Sequence, residues 1–159
     1  MKIDVICVGK MKEAFWRDAV DEYSKRMSRF VTLNIFEVKD ENTPDNASEK
    51  EIDIILEKEA ARLEKYISDN AYICALCVEG EQLSSEGFSE KIEKLENAGF
   101  SHIQFVIGGS LGLHYRIKQR AKFRISFSKM TFPHMLMRVI LMEQIYRAYK
   151  IKSNEPYHK

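Results

Sequence analysis

Strand-type and helix-type patterns alternate five times along this chain, and that alternation limits the fold more tightly than any other feature of the sequence. "KIDVICV" (Lys2 to Val8), "VTLNIFEV" (Val31 to Val38), "AYICALCV" (Ala71 to Val78) and "HIQFVI" (His102 to Ile107) are short apolar runs rich in β-branched residues. A fifth strand is expected near Arg124 to Phe127. Phe15, Ala19, Tyr23 and Met27, with Trp16 and Val20 alongside, mark a first helix. Ile52, Ile55, Leu63 and Ile67 mark a second, opened by a capping box of Ser48 and Glu51. Phe88, Ile92 and Leu95 belong to a third that ends at Gly99, a basic helix runs to about Ala121, and Pro133 opens the last. Parallel neighbours need a crossover between them, so this order predicts an α/β fold with a mostly parallel sheet. Residues 1–159 are expected to form a single domain, with no repeat or low-complexity tract.

Composition acts as a filter on function. With 45% hydrophobic and 31% charged residues the chain has the make-up of a soluble globule, and no apolar run nears the roughly 20 residues of a membrane span. "MKIDVICVGK" lacks the length and cleavage site of a signal peptide, so a cytoplasmic location is expected. Cys74 and Cys77 form a C-x-x-C, but inside a strand, where core packing is expected rather than metal binding or redox chemistry. The four histidines show no ligand spacing such as H-x-x-x-H, and no metal is expected. Net charge is only +1, yet Asp40 to Glu96 holds 16 acids against 6 Lys/Arg, while Asn97 to Met142 holds 7 Lys/Arg and no acid. Such segregation suits either a polyanionic partner or a solvated helix face.

Three segments carry the candidate chemistry. "FVIGGSLGL" (Phe105 to Leu113) breaks from strand into three glycines, the form of a loop whose bare backbone meets a ligand at the carboxyl edge of a sheet. It matches neither the P-loop nor the dinucleotide fingerprint, so a plain structural turn stays open beside the ligand reading. "SFSKMTFPHMLMR" (Ser126 to Arg138) follows the fifth strand and emerges at the same edge. The helix after it is apolar nearly all round from Met135 to Met142, which suits a subunit interface or a fully internal helix. The chain ends in "NEPYHK", with Tyr157 and His158 where a terminus usually carries little chemistry.

"FVIGGSLGL", "LSSEGF", "SFSKMTFPHMLMRVILMEQIYRAYKI" and the terminal "PYHK" resemble the ribosomal RNA large subunit methyltransferase H family of the SPOUT class, and the similarity runs from "VGKMKE" to the last residue. The resemblance implies a C-terminal trefoil knot, a homodimer packed through the terminal helices, and S-adenosylmethionine held in the knot. Knots are rare enough that patterning alone would never suggest one. The implied cofactor contacts are Leu76 at the third strand, Gly108 and Gly109 in the glycine loop, and Phe127, Ser128, Lys129, Met130, Thr131 and Phe132 in the second loop. The implied substrate is N3 of a pseudouridine in 23S ribosomal RNA.

Removing the N3 proton calls for a base or a stabiliser of the anion, and His134, Tyr157 and His158, with Arg138 as the positive group, are the candidates. Nothing in the sequence selects among them. The competing classes are a non-catalytic ribosome-binding protein, in which the glycine loop is only a turn, and a thiol oxidoreductase using Cys74 and Cys77.

Overall fold

The computed structural model describes residues 1–159. Its elements, in chain order, are β1 (Lys2–Val8), α1 (Ala14–Met27), β2 (Thr32–Val38), α2 (Glu49–Glu64), β3 (Tyr72–Gln82) and α3 (Ser85–Asn97), then β4 (His102–Ile107), α4 (Tyr115–Arg120), β5 (Phe123–Ser126) and α5 (His134–Lys152). The five strands form one sheet in the order β2-β1-β4-β3-β5, and every pairing is parallel.

β1 and β4 are mainly apolar because both faces are covered, and their buried polar residues Asp4 and Gln104 hydrogen-bond to each other. On β1, Ile3, Val5 and Cys7 enter the larger core with α1, α3 and α5, while Ile6 and Val8 enter a second core closed by residues of α2 and α4. Helix caps follow the sequence. The Ser48 hydroxyl accepts the Glu51 N–H and lies 3.1 Å from its carboxylate, and Gly99 ends α3 at φ +88°.

Three expectations need correction. β3 runs to Gln82 rather than Val78, and β5 lies one residue earlier than expected. On α1 the inward stripe is Trp16, Val20, Tyr23 and Met27, while Phe15 is exposed. Within the basic segment, Arg116 clamps Glu64 with two hydrogen bonds, Lys118 pairs with Glu79 and Arg120 with Asp69. Segregation along the sequence therefore becomes ion pairing in space.

α5 lies against α1 and α3. Its Leu141, Met142, Ile145, Tyr146, Ala148 and Tyr149 are buried, whereas Leu136, Val139 and Ile140 remain half-exposed on one stripe. No helix is long and apolar enough to cross a membrane.

Candidate functional site

β3 is followed by α3 on one face of the sheet and β4 by α4 on the other, so the two chains part at the carboxyl edge and leave a crevice there. A cleft of about 550 Å³ occupies it. Its walls are the end of β3, the glycine loop after β4, the loop after β5 and the start of α5.

The glycine loop closes on itself. The Gly112 N–H donates to the Gly109 carbonyl at 3.0 Å, and Gly112 takes φ +80°. A Cβ on Gly108 would stand 2.1 Å from the Gly112 carbonyl oxygen, so Gly108 is required by the loop's own backbone rather than directly by a ligand. Gly109 and Gly112 form an antiparallel bridge, so the Gly109 amide is turned to its partner across the turn, while the Ser110 and Leu111 N–H groups at its tip donate to no backbone carbonyl and belong to the cleft-lining loop. Opposite them, the Ser126 hydroxyl donates to the Ser128 carbonyl and the Met130 N–H donates to the Ser128 hydroxyl, folding the second loop into a tight turn.

β3 supplies the wall that the sequence did not announce. Its pairing with β5 skips from Leu76 to Glu81, both opposite Ile125, so Cys77 to Gly80 bow out of the ladder. Gly80 permits this, since a Cβ there would stand 2.5 Å from the Ile125 carbonyl carbon. Cys77, Val78 and Glu79 thereby line the cleft. The polar run "EGEQ" with its glycine was the available signal of a bulge.

Of the residues expected to hold a cofactor, Leu76, Gly108, Gly109, Phe127, Ser128, Met130, Thr131 and Phe132 line the cleft, while Lys129 does not. Sequence reasoning missed Ser110, Leu111 and Met137, as well as the β3 bulge.

The candidate catalytic residues separate. His134 lines the cleft and is half-buried against Gly9. Burial first, and then the charge of Arg138, pushes its pKa below the ordinary 6.5, against a smaller opposing pull from Asp40. Arg138 itself does not face the cleft. It is 1% exposed, its Nη2 donates to the Gly9 carbonyl at 2.9 Å, and its Nη1 lies 3.3 Å from Glu37, which also accepts the Met11 N–H. It ties the end of β1 to β2, because a buried guanidinium needs several acceptors at once.

Tyr157 and His158 are also absent from the cleft wall. Asn154, at φ +51°, ends α5 in a Schellman turn in which the Glu155 N–H donates to the Lys150 carbonyl. The tail then folds back, with Tyr157 edge-on to Tyr146 and its hydroxyl donating to Glu143, and with His158 2.7 Å from Glu86.

Cys74 lies in the core, where burial pushes its thiol up to about 12, and burial raises Cys77 as well. Such thiols stay protonated and make poor nucleophiles, which argues against the oxidoreductase reading. No group of three or more His, Cys, Asp or Glu side chains is arranged to hold a metal ion.

A family model described as "Predicted SPOUT methyltransferase" matches residues 1–158. The chain belongs to the SPOUT methyltransferase family. Proteins named "Ribosomal RNA large subunit methyltransferase H" from Bifidobacterium animalis subsp. lactis (strain AD011) and Clostridium botulinum (strain 657 / Type Ba4) are each 56% identical to it over 159 residues, covering 100% of both chains. Among solved structures, a probable methylase family protein from Haemophilus influenzae Rd KW20 superposes with a TM-score of 0.56 at 11% identity. That match covers 99% of this chain and 70% of the other, and it bears on the fold alone.

Proposed function

We propose that this chain is an S-adenosylmethionine-dependent methyltransferase that modifies N3 of a pseudouridine in 23S ribosomal RNA. It acts in the cytoplasm as a homodimer, with residues 1–159 as one domain and the segment after β5 threaded into a trefoil knot. The observation that carries the reading is 56% identity, end to end, with proteins named as large-subunit ribosomal RNA methyltransferases.

The cleft suits the donor. The unpaired N–H groups of Ser110 and Leu111 offer hydrogen bonds to its polar groups, while Leu76, Ile107, Ile125 and Phe132 offer apolar walls to a flat ring. When bound, the donor supplies a methyl group already activated on a positively charged sulfur. The two loops then have to hold donor and nucleophile in line and keep water out. His134 is the titratable candidate in the wall, and its depressed pKa leaves the ring uncharged at neutral pH and able to accept the N3 proton.

Testing takes two measurements. Calorimetry on the isolated protein should show binding of S-adenosylmethionine or S-adenosylhomocysteine. Incubation with unmodified ribosomal particles and labelled donor should give one methylated pseudouridine, located by mass spectrometry. An inert cofactor titration would leave only the RNA-binding alternative.

The homodimer rests on α5. Leu136, Val139 and Ile140 form a half-exposed apolar stripe that continues into Glu143 and Arg147. Sedimentation at micromolar concentration should give a dimer. Replacing Leu136 and Ile140 together with aspartate should give a monomer, because two buried charges without partners outweigh a typical interface contact.

The RNA-facing cations are expected at the carboxyl edge rather than on α4. Lys10 and Lys12 are exposed in the turn after β1, one and three residues after Gly9, which packs against His134. Reversing both to glutamate should lower methyl transfer to ribosomal particles severalfold and flatten its salt dependence, with cofactor affinity unchanged. Equal salt dependence in the wild type and the variant would count against this face.

A further inference from the structure

Behind the glycine loop, on the side away from the cleft, stands an acid that the reading above does not use. Glu59 lies in the middle of α2 and is 5% exposed. Its Oε1 accepts the Glu41 N–H at 3.1 Å, while Oε2 is buried and has no hydrogen-bond partner. A buried carboxylate oxygen left unpaired is costly, and such oxygens are rare outside functional sites.

The surroundings of that oxygen are specific. A Cβ on Gly109 would stand 3.6 Å from both Glu59 oxygens, in van der Waals contact, so the carboxylate lies directly against this part of the loop. Arg62, the nearest cation on α2, is held by the Glu41 carboxylate and the Lys39 carbonyl instead. Burial above all pushes the Glu59 pKa up, the Glu41 N–H draws it back, and the Asp40 carboxylate adds to the rise. An unsatisfied acceptor therefore stands behind the Gly109 backbone, and the next amide in the chain, Ser110 N–H, donates to no backbone carbonyl.

We propose that Glu59 is a positioning residue for the glycine loop: as the methyl donor seats, Oε2 accepts a backbone N–H of the Gly109–Ser110 turn and fixes the loop in its binding form. The inference rests on the cofactor reading of the cleft. It couples α2, which never touches the cleft, to donor affinity. One backbone donor turns back to the carboxylate, and the remaining N–H groups turn toward the ligand.

Glu59→Gln separates this role from packing. The amide keeps one oxygen for the Glu41 N–H, but it presents an NH₂ group to the loop, so donor meets donor. S-adenosylhomocysteine should bind to Glu59→Gln about tenfold more weakly or worse by calorimetry, the scale of one lost hydrogen bond to a charged acceptor. Hydrogen exchange supplies the readout that simple packing would not move. In the wild type, S-adenosylhomocysteine should slow exchange at Gly109 or Ser110. In Glu59→Gln at saturating ligand that protection should vanish, while protection of the loop after β5 persists.

Failure of the wild type to bind overturns the cofactor reading and this inference with it. Wild-type binding with an unchanged affinity and exchange pattern in Glu59→Gln overturns this inference alone. Should the variant not fold, the wild-type exchange data decide, and no slowing at either amide refutes the proposal.

Discussion

Replacing Gly108 with valine is expected to abolish S-adenosylmethionine binding in a protein that keeps its fold. The reason lies in the loop itself. A Cβ at this position would stand 2.1 Å from the oxygen, 2.3 Å from the carbon and 2.9 Å from the Cα of Gly112, all of them backbone atoms that cannot rotate away. The Gly109–Gly112 turn must open to admit the side chain, and the bridge that shapes this wall of the cleft is then lost. β4 and its central pairings end one residue earlier and should survive.

An affinity loss of at least about a hundredfold is expected, equivalent to roughly 2.7 kcal/mol. Gly112→Ala is the control. Gly112 sits at φ +80° with nothing within 4 Å of its Cβ position, so alanine there costs only the strain of a left-handed residue, about 1 kcal/mol. Calorimetry on both variants, with circular dichroism to verify folding, should rank them in that order. A folded Gly108→Val protein that binds like the wild type would remove the loop from the site.

The contrast between these two glycines shows what the sequence could and could not convey. That the loop needs glycine was legible from the way an apolar strand breaks into "GGSLG". That Gly108 answers to Gly112, and Gly109 to Val8 and Glu59, depends on contacts between distant segments. β1 and β4 were legible to the residue because central parallel strands are buried on both faces and read as mainly apolar runs. β3 was not, because Cys77 to Gly80 leave the ladder to form the cleft wall before Glu81 and Gln82 rejoin it, and a polar, glycine-containing end does not read as strand.

Charge was the hardest feature to read, because the partners are remote in sequence. The bases of α4 suited a polyanion site or a solvated face, and in the fold they meet Glu64, Glu79 and Asp69. Arg138, a cation in an apolar helix beside the second loop, resembled a substrate contact but turns toward Gly9 and Glu37. An arginine in such a setting is identified by its acceptors, and those come from β1 and β2.

Deleting Tyr157 to Lys159 is expected to lower methyl transfer by at least about tenfold, or 1.4 kcal/mol of transition-state stabilisation, with cofactor affinity nearly unchanged. Within its own subunit the tail cannot act on the cleft from where it lies. Tyr157 packs on Tyr146 and Glu143, His158 reaches Glu86 and Arg147, and none of these residues lines the cleft. The Asn154 turn directs the tail back along α5, beside the stripe proposed to join two subunits. A tail at a two-fold interface is within reach of the partner's cleft as well as its own helix, since an isologous contact brings each edge to its counterpart.

Acting across the dimer is therefore the expected mode, with Tyr157 offering a ring for a pseudouridine to stack on and His158 a polar group for its edge. Mixing two inactive proteins tests it. Gly108→Val keeps the tail and loses the cleft, while the truncated protein keeps the cleft and loses the tail. After unfolding and refolding together in equal amounts, half of the dimers are mixed, and each holds one complete site only if the tail crosses between subunits. Recovery of about a quarter of wild-type incorporation is the expected result. No recovery, with mixed dimers verified by mass spectrometry, would return the tail to its own subunit, and full activity of the truncated protein alone would leave proton removal to His134.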